Sequence, residues 1–479
     1  GTAFLHSIMV QERRGMLRVW NVSLICATYA LSLLGTFLVR SGVLQSIHAF
    51  GESKVGPALL GLIAVIVIGT TILIVSRLDS LRSERRLDSI FSRESVFLVN
   101  NLLLVGLAAV IAWGTFFPLI SEAVTGETSS LAAPWFNRLA TPLGIVLVVF
   151  MGLGPLVAWR RVTVAGIWHA LGIPVAVTAV AAIALAIGIG VGESPTAFAL
   201  FLGGTFTVAA IVQEVVRGVG ARRALAGGSR GAALGALLTR NRRRYGGYVV
   251  HVGLVLALFG IAASSSFQSS EDLRLELGQS AEVGGYTVTY ERPTSSISSE
   301  PEKLTFGAIL SVTRDGEPVT TLAPSSEYHA GSLSDPRAPI RSFFEGETTS
   351  EVGRQEDLSR DLWSSMRPDL SSFDRIIDDA DRDYEARFGE LIESSDPRDQ
   401  AMLAAVQGEA IGNLSRLYLA EPPAAEIRFN VNPFVMWFWI GVIVGVGGAL
   451  FALWPTAEGR RRRVTDVYGA RLARELASH

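Results

Sequence analysis

Six histidines carry most of the chemistry that this sequence could perform: His6, His48, His169, His251, His329 and His479. Four of them lie in or beside strongly apolar segments, where a polar ring nitrogen is costly and more often functional than in water. His6 stands seven residues before Arg13, His251 seven after Arg244, and His169 eight after Arg161. At 1.5 Å per residue, each ring sits about 10 Å inside the boundary that its arginine marks. Two imidazoles at one depth on two helices can approach a shared metal from opposite sides. Haem fits such a pair, since imidazole is a natural axial ligand. Zinc needs further ligands, and none is evident at that level. The alternative is that each imidazole bonds a carbonyl or serine of a neighbouring helix. Depth alone does not choose which of the three histidines would form the pair.

His48 is placed differently. It follows Arg40 by eight residues in Val39-Arg40-Ser41-Gly42-Val43-Leu44-Gln45-Ser46-Ile47-His48-Ala49-Phe50, an apolar loop between two apolar segments. Such a surface could cover a planar ligand, with His48 on its metal and Arg40 on a carboxylate; a re-entrant packing loop is the other reading. His329 gives no specific signal, and His479 is the last residue. The single cysteine, Cys26, rules out an internal disulfide, a Cys-based zinc site and a Cys-x-x-Cys-His haem attachment site within the chain.

The elements that must position these residues are membrane spans. Only 18% of the 479 residues are charged, against about 25% in average soluble domains, and the mean hydropathy is +0.37. Eight segments reach the length of about 20 apolar residues that a bilayer requires: 20–39, 56–76, 97–119, 141–158, 168–191, 196–216, 246–266 and 434–454. Residues 1–9 read as the inner end of a ninth. The connections 10–19, 77–96, 159–166, 217–245 and 456–479 hold 24 Arg/Lys between them, whereas 40–55, 120–140 and 192–195 hold only Arg40, Lys54 and Arg138. The positive-inside rule puts the first set in the cytoplasm. Residue 1 is Gly and the chain opens inside an apolar stretch, so further sequence is expected upstream.

Residues 267–428 hold 31 acidic and 15 basic residues, and the alternation of spans places this module outside the membrane. Its strand candidates are Asp272–Leu277, Tyr286–Glu291 and Leu304–Thr313, with Ile427–Asn430 able to close the sheet. Asp315-Gly316 is a hairpin signal, because a primed turn needs φ > 0. Phe373, Ile376, Ile377, Ala380, Tyr384, Phe388 and Leu391 recur at helical spacing. Asp396-Pro397 then reads as an N-cap and first-turn proline, opening a second helix through Leu414. The charges on these helices read most simply as a solvated face; a docking surface for a basic partner is the other reading.

Several stretches resemble a known family. Gly1-Thr2-Ala3-Phe4-Leu5-His6-Ser7, Glu12-Arg13-Arg14-Gly15, Leu34-Gly35-Thr36-Phe37-Leu38-Val39-Arg40-Ser41-Gly42-Val43-Leu44 and Ser46-Ile47-His48-Ala49-Phe50 look like the CcmF-type cytochrome c haem lyase subunit. Ser92–Ser95, Asn100-Asn101, Gly152–Leu156, Gly246 to Leu254, Val312–Gly316 and Pro433-Phe434-Val435 with Trp437 and Trp439 follow in the family's order. The resemblance spans nearly the whole chain except about 368–420. It implies a bacterial inner-membrane protein that joins haem covalently to apocytochrome c on the outer side. It further implies a haem b held between His6 and His251 and a substrate haem held by His48; by its charge, Arg40 could pair with a propionate of that haem. His169 matches no motif of the family. A second external histidine and a Trp-rich haem-handling motif would lie upstream of Gly1. The partners implied are apocytochrome c, a haem chaperone, thiol-reducing maturation subunits, a quinol as electron donor and the lipid bilayer, with no nucleic acid.

The expectation is therefore a polytopic α-helical membrane protein with a small β-rich extracytoplasmic domain carrying a helical insertion. The membrane bundle covers 1–266, the periplasmic β domain 267–430 with its insertion at 370–420, the last span 431–455, and a basic cytoplasmic tail 456–479. The function expected is that of a haem lyase subunit in cytochrome c biogenesis. A haem transporter or exporter and a respiratory cytochrome b-type electron-transfer subunit are the alternatives.

Overall fold

The computed structural model describes residues 1–43, 55–83, 87–90, 92–157, 164–188, 194–299, 302–329, 335–345 and 348–454. Ten helices come first: α1 (Thr2–Arg14), α2 (Arg18–Arg40), α3 (Gly56–Ser76), the single turn α4 (Leu78–Leu81), α5 (Arg93–Thr125), α6 (Ala133–Leu156), α7 (Val164–Gly188), α8 (Pro195–Ala226), α9 (Arg230–Arg240) and α10 (Arg242–Ser266). A β-rich region with α11 (Pro339–Glu345), α12 (Asp374–Phe388) and α13 (Pro397–Ala420) follows, and α14 (Met436–Leu453) is the last described helix. The chain divides into two compact units, Gly1–Leu258 with Gly441–His479, and Phe259–Ile440.

Among the described residues eight helices, α2, α3, α5 to α8, α10 and α14, are long and apolar enough to cross a membrane. The protein is a polytopic helical membrane protein with a β-rich domain. All eight coincide with the apolar segments of the sequence, but several run longer. α5 has 33 residues and α8 has 32, well beyond the roughly 20 that span the hydrocarbon. α6 starts at Ala133 rather than near 141, so Arg138 lies in a helix and not in a loop. Local chemistry sets these starts. Ser92, Ser194 and Ser229 cap α5, α8 and α9 by accepting from the backbone N–H three residues on, and proline occupies the first turn of α3, α6 and α8.

In the first unit, α10 and α14 run antiparallel with glycines facing each other. A Cβ on Gly253 would lie 2.5 Å from the Gly445 nitrogen and 2.6 Å from the Gly441 carbonyl. One on Gly246 would meet Ala452 at 2.7 Å, and one on Gly448 the Val250 nitrogen at 2.8 Å. Backbones approach this closely only without side chains between them, which is how helices associate where lipid removes the hydrophobic drive.

Among the described residues the second unit holds ten strands in two sheets. One has the order β1 (Ser269–Leu275), β10 (Ala425–Pro433), β9 (Arg360–Pro368) and β8 (Gly353–Glu356). The other runs β2 (Ser280–Val283), β3 (Tyr286–Ser299), β4 (Glu302–Arg314), β6 (Ser325–His329) and β7 (Thr348–Glu351), with β5 (Glu317–Leu322) paired to β4. Asp315 and Gly316, at φ 52° and 83°, form the β4–β5 turn. Alternate residues of both sheets, among them Tyr286, Val288, Leu310, Val312, Leu362, Ile427 and Phe429, share one buried core. Sequence alternation identified β1, β3, β4 and β10. It did not identify β6 to β9, which are short or carry Ser, Thr and charged residues.

The two long helices of the insertion close a second core. Phe373, Ile377, Ile411, Leu414 and Tyr418 pack on Leu304, Phe306 and Tyr328 of the sheet and on Ile340 and Phe343 of α11. Tyr418, fully buried, stacks on Phe306 at 4.2 Å and donates to the Gly307 carbonyl at 3.1 Å. Asp381 of α12 accepts from the Ile340 and Arg341 N–H groups, both at 2.9 Å, and so caps the start of α11. Asp396 caps α13 through the Arg398 N–H, with Pro397 in its first turn.

Two outcomes follow. Gly253→Leu forces α10 from α14 and destabilises the protein by about 2 kcal/mol or more, whereas Gly247→Leu, with open space around it, leaves thermal unfolding in detergent unchanged. Asp381→Ala removes the cap of α11 and costs about 1–2 kcal/mol, read as a lowered denaturant midpoint of the β unit.

Candidate functional site

The first unit brings His6 and His251 together. Their rings lie 6.1 Å apart between centroids with planes only 8° from parallel. A metal–imidazole bond is about 2 Å long and the ring centre lies about 1 Å behind the nitrogen, so two imidazoles flanking one metal have centroids about 6 Å apart. Phe97 of α5 packs against His6 at 5.9 Å. His6 Nδ1 donates to the Thr2 carbonyl at 2.9 Å, which fixes the tautomer that leaves Nε2 with its lone pair, as a ligating histidine requires. His251 Nδ1 is buried, with no hydrogen-bond partner among the described residues. Neutral imidazoles in this arrangement fit the two axial positions of a haem. Among the described residues no group of three or more His, Cys, Asp or Glu could hold a metal ion.

Charged residues set the level of these helices. Arg14, buried at the end of α1, pairs with Asp88 and, at 2.9 Å, with Glu94 in the first turn of α5. Arg243 at the start of α10 pairs with Glu12 at 3.5 Å. The arginine-bearing ends of α1, α5 and α10 therefore share one level, and the two histidines stand two turns away from it. Asn21 of α2 bonds Ser7 and, at 2.6 Å, Gln11, joining α1 to α2. Trp20 donates to Asn101 of α5 at 3.4 Å.

His169 lies on α7, which is held to α8 by Gln213 on the Ala170 carbonyl at 2.7 Å and Arg217 on the His169 carbonyl at 3.3 Å. Arg40 is the last residue of α2, at its exposed end. His48 lies outside the described residues, as do Arg161, Arg460 to Arg463 and His479. His329, in the β unit, bonds Thr349 at 3.2 Å. Sequence reasoning assigned no role to Phe97, Asn21 or Glu214. The signal available was a polar or charged residue inside an apolar run, which marks Asn21 and Glu214; nothing in a single sequence marks Phe97.

Comparison with known proteins finds relatives over the whole chain. The chain is 29% identical to the cytochrome c-type biogenesis protein CcmF of Pseudomonas aeruginosa over 479 residues, all of this chain and 61% of that protein. The CcmF protein of Escherichia coli is 30% identical over 377 residues, 78% of this chain and 53% of the relative. The chain is homologous to the CcmF-type proteins. CycK of Rhizobium meliloti, another cytochrome c-type biogenesis protein, is 33% identical over 346 residues, 72% of this chain and half of its own length. A solved structure of the cytochrome c haem lyase CcmF superposes with a TM-score of 0.61 at 24% identity, over 95% of this chain and 58% of that one, and shares the fold. No protein-family model matches the chain. The chain spans between half and about three fifths of the CcmF and CycK relatives it resembles.

Arg14 offers a direct check of the shared level. Arg14→Leu strands Glu94, 3% exposed in its side chain, and is expected to cost about 3–5 kcal/mol, as broken buried pairs do. The double variant with Glu94→Leu recovers part of that loss in a thermal-shift assay.

Proposed function

We propose that the chain is the haem-handling part of a cytochrome c haem lyase subunit in a bacterial inner membrane, with a haem b between His6 and His251. The observation that carries this reading is the near-parallel pair of imidazoles at a spacing suited to one iron. The CcmF relatives are named for cytochrome c biogenesis and the solved CcmF structure for a haem lyase, which suggests the class of reaction. A haem bound there supplies one-electron redox chemistry, with a quinol as the proposed donor. His6 and His251 orient it, and Phe97 packs on the His6 ring.

The lyase reaction adds two cysteine thiols of an apocytochrome c Cys-x-x-Cys-His segment across the two vinyl groups of a second, substrate haem. Each sulfur bonds one vinyl carbon and the thiol hydrogen goes to the other, so the addition is redox-neutral once the thiols are reduced. Protein groups contribute binding and orientation. His48 is the proposed iron ligand and Arg40 the proposed propionate contact. The apocytochrome's own histidine then displaces one ligand and releases the product. Thiol supply falls to thiol-reducing maturation subunits, and haem delivery to a haem chaperone. The 24 basic residues on one set of connections support a periplasmic position for the acidic β unit. A transporter or respiratory cytochrome reading has no comparable support from the relatives.

Optical spectra test the haem pair. His6→Ala and His251→Ala are each expected to lose the low-spin b-type spectrum, while His169→Ala keeps it; a full spectrum in either of the first two overturns the assignment. His48 is tested by haem stain of cytochrome c in a strain lacking its own lyase, with the full-length protein restored. His48→Ala is expected to keep the b-type spectrum yet lose assembly, and added imidazole to restore part of it in His48→Gly but not His48→Leu. Normal assembly by His48→Ala at equal protein level removes His48 from the site.

A further inference from the structure

The His6–His251 pair lies between two unlike surroundings. On the side of α10 that follows His251, Val255 and Leu258 pack with Val148, Met151, Leu200 and Val208 into an apolar cluster. On the side that precedes it, Tyr248 and Arg244 follow at helical spacing, three and seven residues away. Arg244 Nε donates to the Tyr248 hydroxyl at 2.8 Å, and its Nη2 pairs with the Glu214 carboxylate of α8. Arg93 stands one turn before Phe97, the ring on His6. Its Nε and Nη2 donate to the Val157 and Pro155 carbonyls at 2.8 Å each, which anchors the guanidinium at the end of α6.

We propose that Arg244 and Tyr248, with Arg93 behind them, receive the propionate edge of the haem held by His6 and His251. This rests on the haem reading above and adds the orientation of the macrocycle: carboxylates toward the arginine-bearing end of α10, the opposite edge toward the Val255 cluster. A haem carries two carboxylates, and ionised oxygens in a low-dielectric bundle require charged or hydrogen-bonding partners. The apolar cluster has none to give. Arg244 is already a carboxylate receptor, since it holds Glu214. Tyr248, 9% exposed, lies one turn from His251 and Arg244 two turns, about 5–10 Å along the axis, the scale of the reach from a haem iron to its propionates. Guanidinium is suited to this task by its planar fork of donors.

The test titrates the apoprotein with protohaem and with protohaem dimethyl ester, whose propionates carry no charge, following the low-spin Soret band. The unmutated protein is expected to bind the ester at least about tenfold more weakly, the range of a charge-assisted hydrogen bond. Arg244→Gln is expected to weaken protohaem to the level of the ester while leaving the ester unchanged. Arg230→Gln, at the exposed start of α9, is expected to keep the full gap. Equal affinity of the two ligands for the unmutated protein, or an undiminished gap in Arg244→Gln, overturns the proposal. Should Arg244→Gln fail to accumulate, Tyr248→Phe decides: a narrowed gap supports the orientation and an unchanged one overturns it. Absence of any low-spin band with either ligand is a different result, since it removes the haem reading itself.

Discussion

The ion pairs of the buried Arg14 with Glu94 and Asp88 fix α1 against α5 at one end, and an exposed pair, Arg243 with Glu12, lies on the same level of α10. The histidine pair depends on that alignment. A shift of α1 by one turn would move His6 by about 5.4 Å and take it off the level of His251. Charges suit this role at the edge of an apolar bundle, because an unpaired arginine or glutamate there is far more costly than a misplaced leucine. The Asn21 contacts to Ser7 and Gln11 act in the same sense between α1 and α2.

A second constraint acts on α10 from its other side. The facing glycines of α10 and α14 leave no side chain between the backbones, so the rotation of α10 about its axis is fixed as well as its depth. Gly246 and Gly253 are seven residues apart, and His251 lies two residues before Gly253. Two residues correspond to about 200° of helix rotation, so His251 points away from α14 and toward α1. Depth comes from the charged ends and direction from the glycine face. Together they bring two rings from helices far apart in sequence into near-parallel register.

These causes were unequally legible in the sequence. Eight spans could be read from hydropathy, because satisfying backbone groups in lipid leaves little choice but an apolar helix. The Asp315-Gly316 turn and the Asp396-Pro397 helix start were legible because each depends on the conformational preference of one or two residues. The strands β7 and β8 were not, since their partners supply the pairing and their own residues are polar or glycine. At the site, the depth argument admitted His6, His169 and His251 alike. The family motif selected the first and third, and the structure brings those two rings together. Phe97 and the Arg244–Glu214 pair escaped notice because their meaning lies in which helices are neighbours, and a single sequence does not record that.

The histidines themselves argue against a purely structural reading. If each imidazole served only to bond a neighbouring helix, both would find a partner on another helix. His6 instead bonds the carbonyl of Thr2 in its own helix, and His251 Nδ1 has no hydrogen-bond partner among the described residues. A buried polar atom left unpaired costs about 1–3 kcal/mol, and leucine at position 251 would avoid that cost. The proposed haem iron would give both rings that partner, and the His6 Nδ1–H bond to Thr2 leaves the His6 Nε2 lone pair for it.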